Sequence, residues 1–178
     1  MYRATRELIK ARQIHTNYMV EKVLVTQIGG GRENDCFNNA YEYQEINKQC
    51  GFVSGWLVNK YDSLSKSTAI LQHFWNVNEN GVFVDTTPNI DSECDYVIDV
   101  DLSKYGQEHY DEIANCVCSS LWLKDGRFKT VDLIEGRMVE NEISELRTEN
   151  LFEAVKIENI LDSDYLSAIE FAPEMEAV

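Results

Sequence analysis

Proline, glycine and long apolar runs are all scarce in this sequence. Its 178 residues include two prolines and nine glycines, and no Ser/Gly-rich linker or internal repeat divides them. One globular domain with a single sizeable core is therefore expected. No apolar run reaches the ~20 residues that a membrane-spanning helix needs, and none opens the chain as a secretory signal would. These absences predict a soluble cytoplasmic protein that has no membrane partner.

Positive charge is also in short supply. The chain has 16 Lys and Arg residues against 31 Asp and Glu residues, which gives a formal net charge of −15. Because contact with phosphates needs a basic surface, nucleic acid is excluded as a partner. The acidity suits a basic protein partner or a DNA-mimicking decoy, although many acidic surfaces only keep a protein soluble.

Cysteines are few and are not arranged for disulfides or metals. Five is an odd number, and the spacing is not disulfide-dense, which fits a reducing compartment. Only Cys116 and Cys118 are close, and in a strand they point the same way without neighbouring ligands, so zinc is not expected. Together with Cys50 and Cys94 they are assigned to packing. The glycines at 29–31 are not followed by Gly-Lys-Ser/Thr, so no phosphate loop is predicted. We expect neither a metal nor a cofactor.

The remaining cysteine, Cys36, stands at the predicted start of a helix. It follows the glycines at 29–31, and either Asn34 or Asp35 is a natural N-cap. The unpaired N–H groups of a helix start favour negative charge, and a thiol reacts as the thiolate. This position therefore makes Cys36 a candidate nucleophile.

Residues 72–88 predict a β-hairpin that carries a histidine and an aspartate. If the loop has three residues with Gly81 in the left-handed conformation, Trp75 lies opposite Asp85. His73 and Asp85 are then diagonal neighbours on one face, roughly 7 Å apart at Cα. A two-residue Asn-Gly turn would place them on opposite faces. The three-residue loop is thus the register that a Cys-His-Asp site requires.

Cys36, His73 and Asp85 occur in an order that suits acyl transfer. The thiol attacks a carbonyl, the imidazole takes and returns the proton, and the carboxylate orients the imidazole. Oxyanion donors could be the Cys36 backbone N–H together with a side chain from Asn34, Asn38 or Trp56. Trp75 lies on the His73 face in this register and is a candidate for substrate binding. Tryptophans are, however, more often core residues.

Three stretches within residues 29–88, about a third of the chain, resemble the transglutaminase-like branch of the papain-like superfamily. They are a cysteine that opens a helix in Asp-Cys-Phe-Asn-Asn-Ala, a strand with His-Phe-Trp, and a strand that ends in Val-Asp-Thr-Thr-Pro. The resemblance implies an α+β fold in which the nucleophile-bearing helix packs on an antiparallel β-sheet. It also implies thioester chemistry at an amide or acyl group.

The composition changes after residue 136. Residues 137–178 contain eleven acidic and three basic residues, which contribute −8 of the net charge. Apolar residues such as Ile143, Leu146 and Leu151 have roughly helical spacing. We therefore predict a transglutaminase-like α+β domain over residues 1–136 and an acidic helical C-terminal extension, packed on it, over residues 137–178.

Two functional hypotheses follow. The first is a cysteine-dependent amide hydrolase or acyltransferase with a protein or a small amide or acyl compound as substrate. Hydrolysis and transfer stay open, because the outcome depends on whether water or an amine reaches the thioester. The second is a non-catalytic protein-binding or inhibitor module on the same scaffold, which docks a basic partner through its acidic surface.

Overall fold

The computed structural model describes residues 1–113, 120–134 and 137–151 as an α+β protein with a mostly antiparallel sheet. None of the helices in these ranges has both the length and the apolar character needed to cross a membrane. The helices are α1 Arg3–Gln13, α2 Cys36–Ile46, α3 Val100–Glu108, α4 Tyr110–Ile113 and α5 Thr148–Leu151. The strands are β1 Val20–Val23, β2 Val25–Gln27, β3 Gly51–Val58, β4 Ser67–Val77, β5 Phe83–Asp85, β6 Asp95–Asp99, β7 Ser120–Lys124, β8 Arg127–Ile134 and β9 Arg137–Ile143.

The sheet runs in the order β1-β6-β3-β4-β7-β8-β9, with antiparallel neighbours throughout this path. The predicted antiparallel sheet is therefore confirmed. One parallel pair is added to it, since β2 pairs with β5, which in turn pairs antiparallel with the end of β4.

Strand β4 is the longest strand, and it changes partners along one edge. Its first part, Ser67 to Leu71, pairs with β7, whereas Asn76 and Val77 pair with β5. Between them, residues 72–75 pair with β3 on the other side and have no second strand partner in the described chain. Helix α2 packs near this break, where the Asn76 side chain donates a hydrogen bond to the Ala40 carbonyl (2.9 Å). The break lets a helix approach the middle of the sheet.

The hairpin between β4 and β5 has the register of the three-residue loop, one of the two that the sequence left open. Asn76 lies opposite Val84, and the Asn78 N–H donates to the Val82 carbonyl (2.9 Å) across the turn. Gly81 has a φ of 76°, the left-handed conformation that glycine adopts without a steric penalty. His73 and Asp85 consequently face the same side.

Each face of the sheet carries buried apolar side chains. Strand β3 is buried on both faces, because Trp56 and Val58 enter a core covered by α1 and α3, while Val53 and Leu57 enter a second core on the opposite face. This explains its nearly continuous apolar sequence. A third cluster joins Phe37 of α2 to Phe52 of β3 and Phe74 of β4.

Helix α2 starts at Cys36 as predicted but ends at Ile46, before the Cys50–Gly51 boundary that the sequence suggested. At Asn47, which follows the last helical residue, the side-chain amide donates to the Tyr43 carbonyl (2.9 Å) in competition with the backbone N–H of the same residue (2.9 Å). A side chain that competes for a backbone carbonyl commonly ends a helix in this way.

The C-terminal region corrects one prediction. Residues 137–143 form strand β9 rather than a helix, and β9 pairs with β8 in the sheet. The alternation explains this, because Glu140 and Glu142 are exposed and pair with basic residues of β7 and β8, while Ile143 packs against the core. Only Thr148–Leu151 is helical in the described part of this region. The predicted helix beyond residue 151 lies outside the described residues.

Candidate active site

His73 and Asp85 form a buried hydrogen-bonded pair. The His73 Nε2 atom lies 2.7 Å from Asp85 Oδ2, and the two residues are only 3% and 1% exposed. Their contact follows from the three-residue hairpin loop, which makes them diagonal neighbours on one face. A charged group buried this deeply needs a partner, and each residue supplies one to the other.

Cys36 lies on the other side of the His73 ring. Its sulfur is hydrogen-bonded to the imidazole and interacts with it electrostatically. Because Nε2 faces Asp85, Nδ1 is the ring nitrogen that remains for the thiol. Cys36 is 8% exposed and contacts the aromatic cluster that contains Phe37 and Phe74. The sulfur thus lies between an imidazole and an apolar wall.

The environment of His73 favours its charged form. Burial alone lowers the pKa of His73, but the charge of Cys36 and the hydrogen bonds with Asp85 and Cys36 outweigh burial and raise the pKa to about 9. A negatively charged sulfur stabilises the imidazolium, and the imidazolium in turn favours the thiolate. His73 is therefore protonated at neutral pH and faces a thiol that it can activate.

Asp85 is held as a carboxylate. Burial raises its pKa, but hydrogen bonds with His73, with the Thr87 backbone N–H and with the Tyr96 hydroxyl outweigh burial and lower the pKa below its usual value. The Thr87 N–H lies 2.8 Å from Oδ1, and the Tyr96 hydroxyl lies 2.7 Å from Oδ2. Both carboxylate oxygens are thus fixed.

Sequence reasoning missed Tyr96, which comes from β6. Residues 95–100 indicated a strand, but the order of strands in the sheet brings Tyr96 to Asp85, and no local pattern encodes that order. Burial and the charge of Asp85 raise the pKa of Tyr96 far above its usual value, so that its hydroxyl stays protonated and donates.

A glycine in β3 makes room for the aromatic rings around His73. Trp75 stacks with the His73 ring (centroids 6.0 Å apart, planes at 23°) and meets Tyr96 edge-on at 5.5 Å. A Cβ atom on Gly55 would lie 2.8 Å from the Trp75 ring and 2.0 Å from the Val97 carbonyl oxygen. Trp75 lies on the His73 face as predicted, but it is fully buried and supports the ring from within the core.

The glycine loop before α2 is tied to the strand segment after Asp85. The Gly31 N–H donates to the Thr86 carbonyl (2.9 Å), and Asn39 of α2 brackets the backbone of Arg32 through both of its amide atoms (2.8 and 2.7 Å). A Cβ atom on Gly31 would lie 2.5 Å from the Asn39 side chain. Asn39, another residue that sequence reasoning missed, therefore locks the start of α2 beside the hairpin.

The other predicted oxyanion candidates lie in different surroundings. Asn34 is exposed and has a φ of 54°, and the Asn38 side chain donates to Asp35 (2.7 Å) at the helix start. Trp56 is fully buried on the opposite face of the sheet, where its indole N–H donates to Asp99 (3.4 Å). The structure does not bring Trp56 to the Cys36 site, since its strand position alternates away from that face.

The other described cysteines lack this environment. Burial, aided by two neighbouring aspartates, raises the pKa of Cys94 to about 11, and its thiol donates to Asn59 (3.0 Å). Cys50 is buried. Cys116 and Cys118 lie outside the described residues. Cys36 is thus the described cysteine that faces a histidine.

Across residues 1–113, 120–134 and 137–151, no three His, Cys, Asp or Glu residues converge in a way that could hold a metal ion. Compared with protein-family models, curated proteins and solved structures, the chain has no significant match. The resemblance to the transglutaminase-like branch therefore stays a prediction, and the functional argument rests on this chain's own geometry.

Proposed function

We propose that this protein is a cysteine-dependent amide hydrolase or acyltransferase that works through a thioester. One observation carries the proposal: a buried imidazole lies between the thiol of Cys36 and the carboxylate of Asp85, with hydrogen bonds to both. Structural histidines do not need a thiol on one nitrogen and an ionised carboxylate on the other. Nucleophilic catalysis by cysteine uses a base beside the thiol and a third group that orients the base, and these three side chains can fill those roles.

In the first step the Cys36 thiolate attacks the carbonyl carbon of the substrate and forms a carbon–sulfur bond. The proton on His73 Nδ1 passes to the leaving amine as the carbon–nitrogen bond breaks, which leaves a thioester on Cys36 and a neutral imidazole. Asp85 keeps the proton on Nε2 and stabilises the imidazolium before transfer.

In the second step a nucleophile attacks the thioester while His73 Nδ1 accepts its proton. The carbon–sulfur bond then breaks, and the thiolate and the imidazolium are restored. Water as nucleophile gives hydrolysis, and an amine gives acyl transfer. The same three side chains serve both outcomes, and the group that reaches the thioester selects between them.

Selective alkylation tests the proposal. Folded protein is treated with a limiting amount of iodoacetamide at pH 7, and each cysteine is quantified by peptide mass spectrometry. We expect Cys36 to react at least about ten times faster than Cys94, because the thiolate fraction of a thiol falls about tenfold for each pKa unit by which its pKa exceeds the pH.

Two variants serve as controls. Cys36→Ala should remove the fast reaction and leave the unfolding transition in place, whereas Cys94→Ala should leave the fast reaction unchanged. An alkylation rate for Cys36 no greater than that for Cys94 contradicts an activated nucleophile.

The second candidate is a non-catalytic binding module that docks a basic partner. Two observations favour it: Cys36 is only 8% exposed, and the chain has a net charge of −15. Binding to an oligolysine peptide that survives Cys36→Ala and weakens steeply between low and high salt, together with slow alkylation of Cys36, would favour this candidate.

A further inference from the structure

Tyr96 reaches Asp85 across two intervening strands. It lies on β6, whereas Asp85 lies on β5, and β3 and β4 come between them in the sheet; the Tyr96 hydroxyl donates to Asp85 Oδ2 at 2.7 Å. His73 Nε2 contacts that same oxygen, also at 2.7 Å. Two donors thus share one carboxylate oxygen, while the Thr87 N–H occupies the other.

The position of the Tyr96 ring is closely determined. It meets the His73 ring edge-on (centroids 6.0 Å, 68°) and the Trp75 ring edge-on (5.5 Å, 85°), and Tyr96 is buried. The space above Gly55 allows this cluster of rings to form. A hydroxyl on a ring held in this way directs its hydrogen bond at Asp85 Oδ2.

We infer that Tyr96 is a positioning residue of the site. Its hydroxyl holds Asp85 in place and donates to the same carboxylate oxygen that His73 contacts, which weakens the hydrogen bond between this oxygen and the imidazole N–H. The inference deepens the proposed function and rests on it. A hydrogen bond donated to an anion withdraws electron density from the acceptor oxygen, so a second donor weakens the first.

The chemical consequence concerns the step in which His73 acts as an acid. An imidazolium bound too tightly to a buried carboxylate gives up its proton reluctantly, and expulsion of the amine slows. An imidazole without any carboxylate would lose its orientation. Tyr96 sets the balance between these two extremes.

Few ionisable groups act on this cluster in the described part of the chain. Cys36 contributes from α2, Asp85 from β5 and Tyr96 from β6, and Cys94 interacts with Tyr96 from the segment before β6. The neutral side chain of Gln27 hydrogen-bonds to Tyr96. A titration of His73 therefore reports on a small and defined set of neighbours.

Tyr96→Phe tests the inference. It removes the hydroxyl and keeps the ring, while Thr87 and His73 still hold the carboxylate. The pKa of His73, measured by NMR titration of histidine-labelled protein, is expected to rise by about half a unit or more. The high-pH limit of Cys36 alkylation should move upward by a similar amount.

Tyr2→Phe is the matched control, because the Tyr2 hydroxyl also donates a hydrogen bond, but to the Glu93 carbonyl away from the site. It should leave the His73 titration unchanged. An unchanged or lowered pKa of His73 in Tyr96→Phe overturns the inference, since a merely structural role would loosen Asp85 and lower that pKa.

If the Tyr96→Phe variant fails to fold, a second measurement on a different variant tests the inference. Incorporating 3-fluorotyrosine at position 96 keeps the ring and hydroxyl but makes the hydroxyl a stronger donor, so the pKa of His73 should fall; no fall overturns the inference. These titrations need no turnover. Slow alkylation of wild-type Cys36 would overturn the proposed function. Fast alkylation of Cys36, combined with a His73 pKa that does not change when Tyr96 is altered, would overturn this inference alone.

Discussion

At the scale of single residues, environment separates cysteines that are chemically identical in the sequence. Cys36 faces an imidazole at a helix start, whereas Cys94 donates its thiol proton to Asn59 and has its pKa raised to about 11. The helix start was recognisable from the sequence. The neighbouring imidazole was a hypothesis that depended on a hairpin register.

The pKa of His73 gives a prediction about stability and pH. In the folded protein it is raised from 6.5 to about 9, so the imidazolium contributes stability that is fully present below pH 6.5 and is lost as the pH rises through about 9. The free energy of unfolding of the wild type should therefore fall relative to that of His73→Gln as the pH rises through about 9, where the imidazolium beside Cys36 loses its proton.

Urea unfolding at pH 6, 7.5 and 9.5 measures this difference. His109→Gln is the matched control, because His109 stacks on Tyr105 outside the site. A difference between wild type and His73→Gln that is constant across this range would show that His73 is not preferentially protonated in the fold.

At the scale of elements, β4 and its hairpin decide which side chains meet. Turn rules left two registers open, and the structure has the three-residue loop in which Gly81 supplies the left-handed residue. The same kind of local reasoning was wrong at residues 137–143. A few apolar residues at helical spacing led to the prediction of a helix, although Glu140 and Glu142 alternate as in the strand that the structure shows. A short segment satisfies both periods, and only its neighbour β8 selects one.

Gly55→Ala tests whether β3 must lack a side chain at the position next to the Trp75 ring. The new Cβ would approach the Val97 carbonyl oxygen to 2.0 Å and Trp75 to 2.8 Å, and the backbone contact cannot relax by a side-chain rotation. We expect a loss of about 3 kcal/mol or more in the free energy of unfolding, at or above the usual range for overpacking, and slower alkylation of Cys36.

Gly106→Ala provides the control for this change. Gly106 lies within α3, and a Cβ atom there would meet the Phe74 ring at 3.4 Å, close to ordinary contact. Because alanine is the better helix former, this substitution should be neutral or should stabilise by up to about 1 kcal/mol. Equal losses in the two variants would argue against a special role for Gly55.

At the scale of the whole molecule, one buried arginine joins the two ends of the described chain. Arg12 of α1 donates to Asp99 through Nε (2.6 Å), and its other nitrogens donate to the Leu146 carbonyl and to Thr148 (3.0 Å). Asp99 also caps α3 and accepts from the Trp56 indole. Arg12 therefore links α1, β6 and the segment that leads into α5.

Arg12→Ala should destabilise the protein strongly. It leaves the buried Asp99 carboxylate without its counter-ion, a change that typically costs about 3–5 kcal/mol. Lys60→Ala is the comparison, because Lys60 pairs with Glu93 at the exposed surface, where solvent and salt screen the pair, so its loss should be far smaller. Chemical denaturation of both variants measures the contrast, and similar losses would contradict the structural role of Arg12.

The sequence by itself determined the local features of this protein. Capping rules predicted that α2 begins at Cys36, and turn rules reduced the hairpin to two registers, one of which places His73 and Asp85 on one face, because such rules depend on neighbours along the chain. The net charge of −15 predicts that nucleic acid is an unsuitable partner, and this stays a prediction.

Only the tertiary structure decided how distant segments meet. Tyr96 reaches Asp85 because β6 lies beside β3, and Asn39 locks the glycine loop because α2 packs at the break in β4. Trp56 and Trp75 both lie in apolar stretches of the sequence, yet strand register places them on opposite faces of the sheet. Strand order and packing come from the burial of the whole core, a sum over many weak contacts that no short stretch of sequence contains.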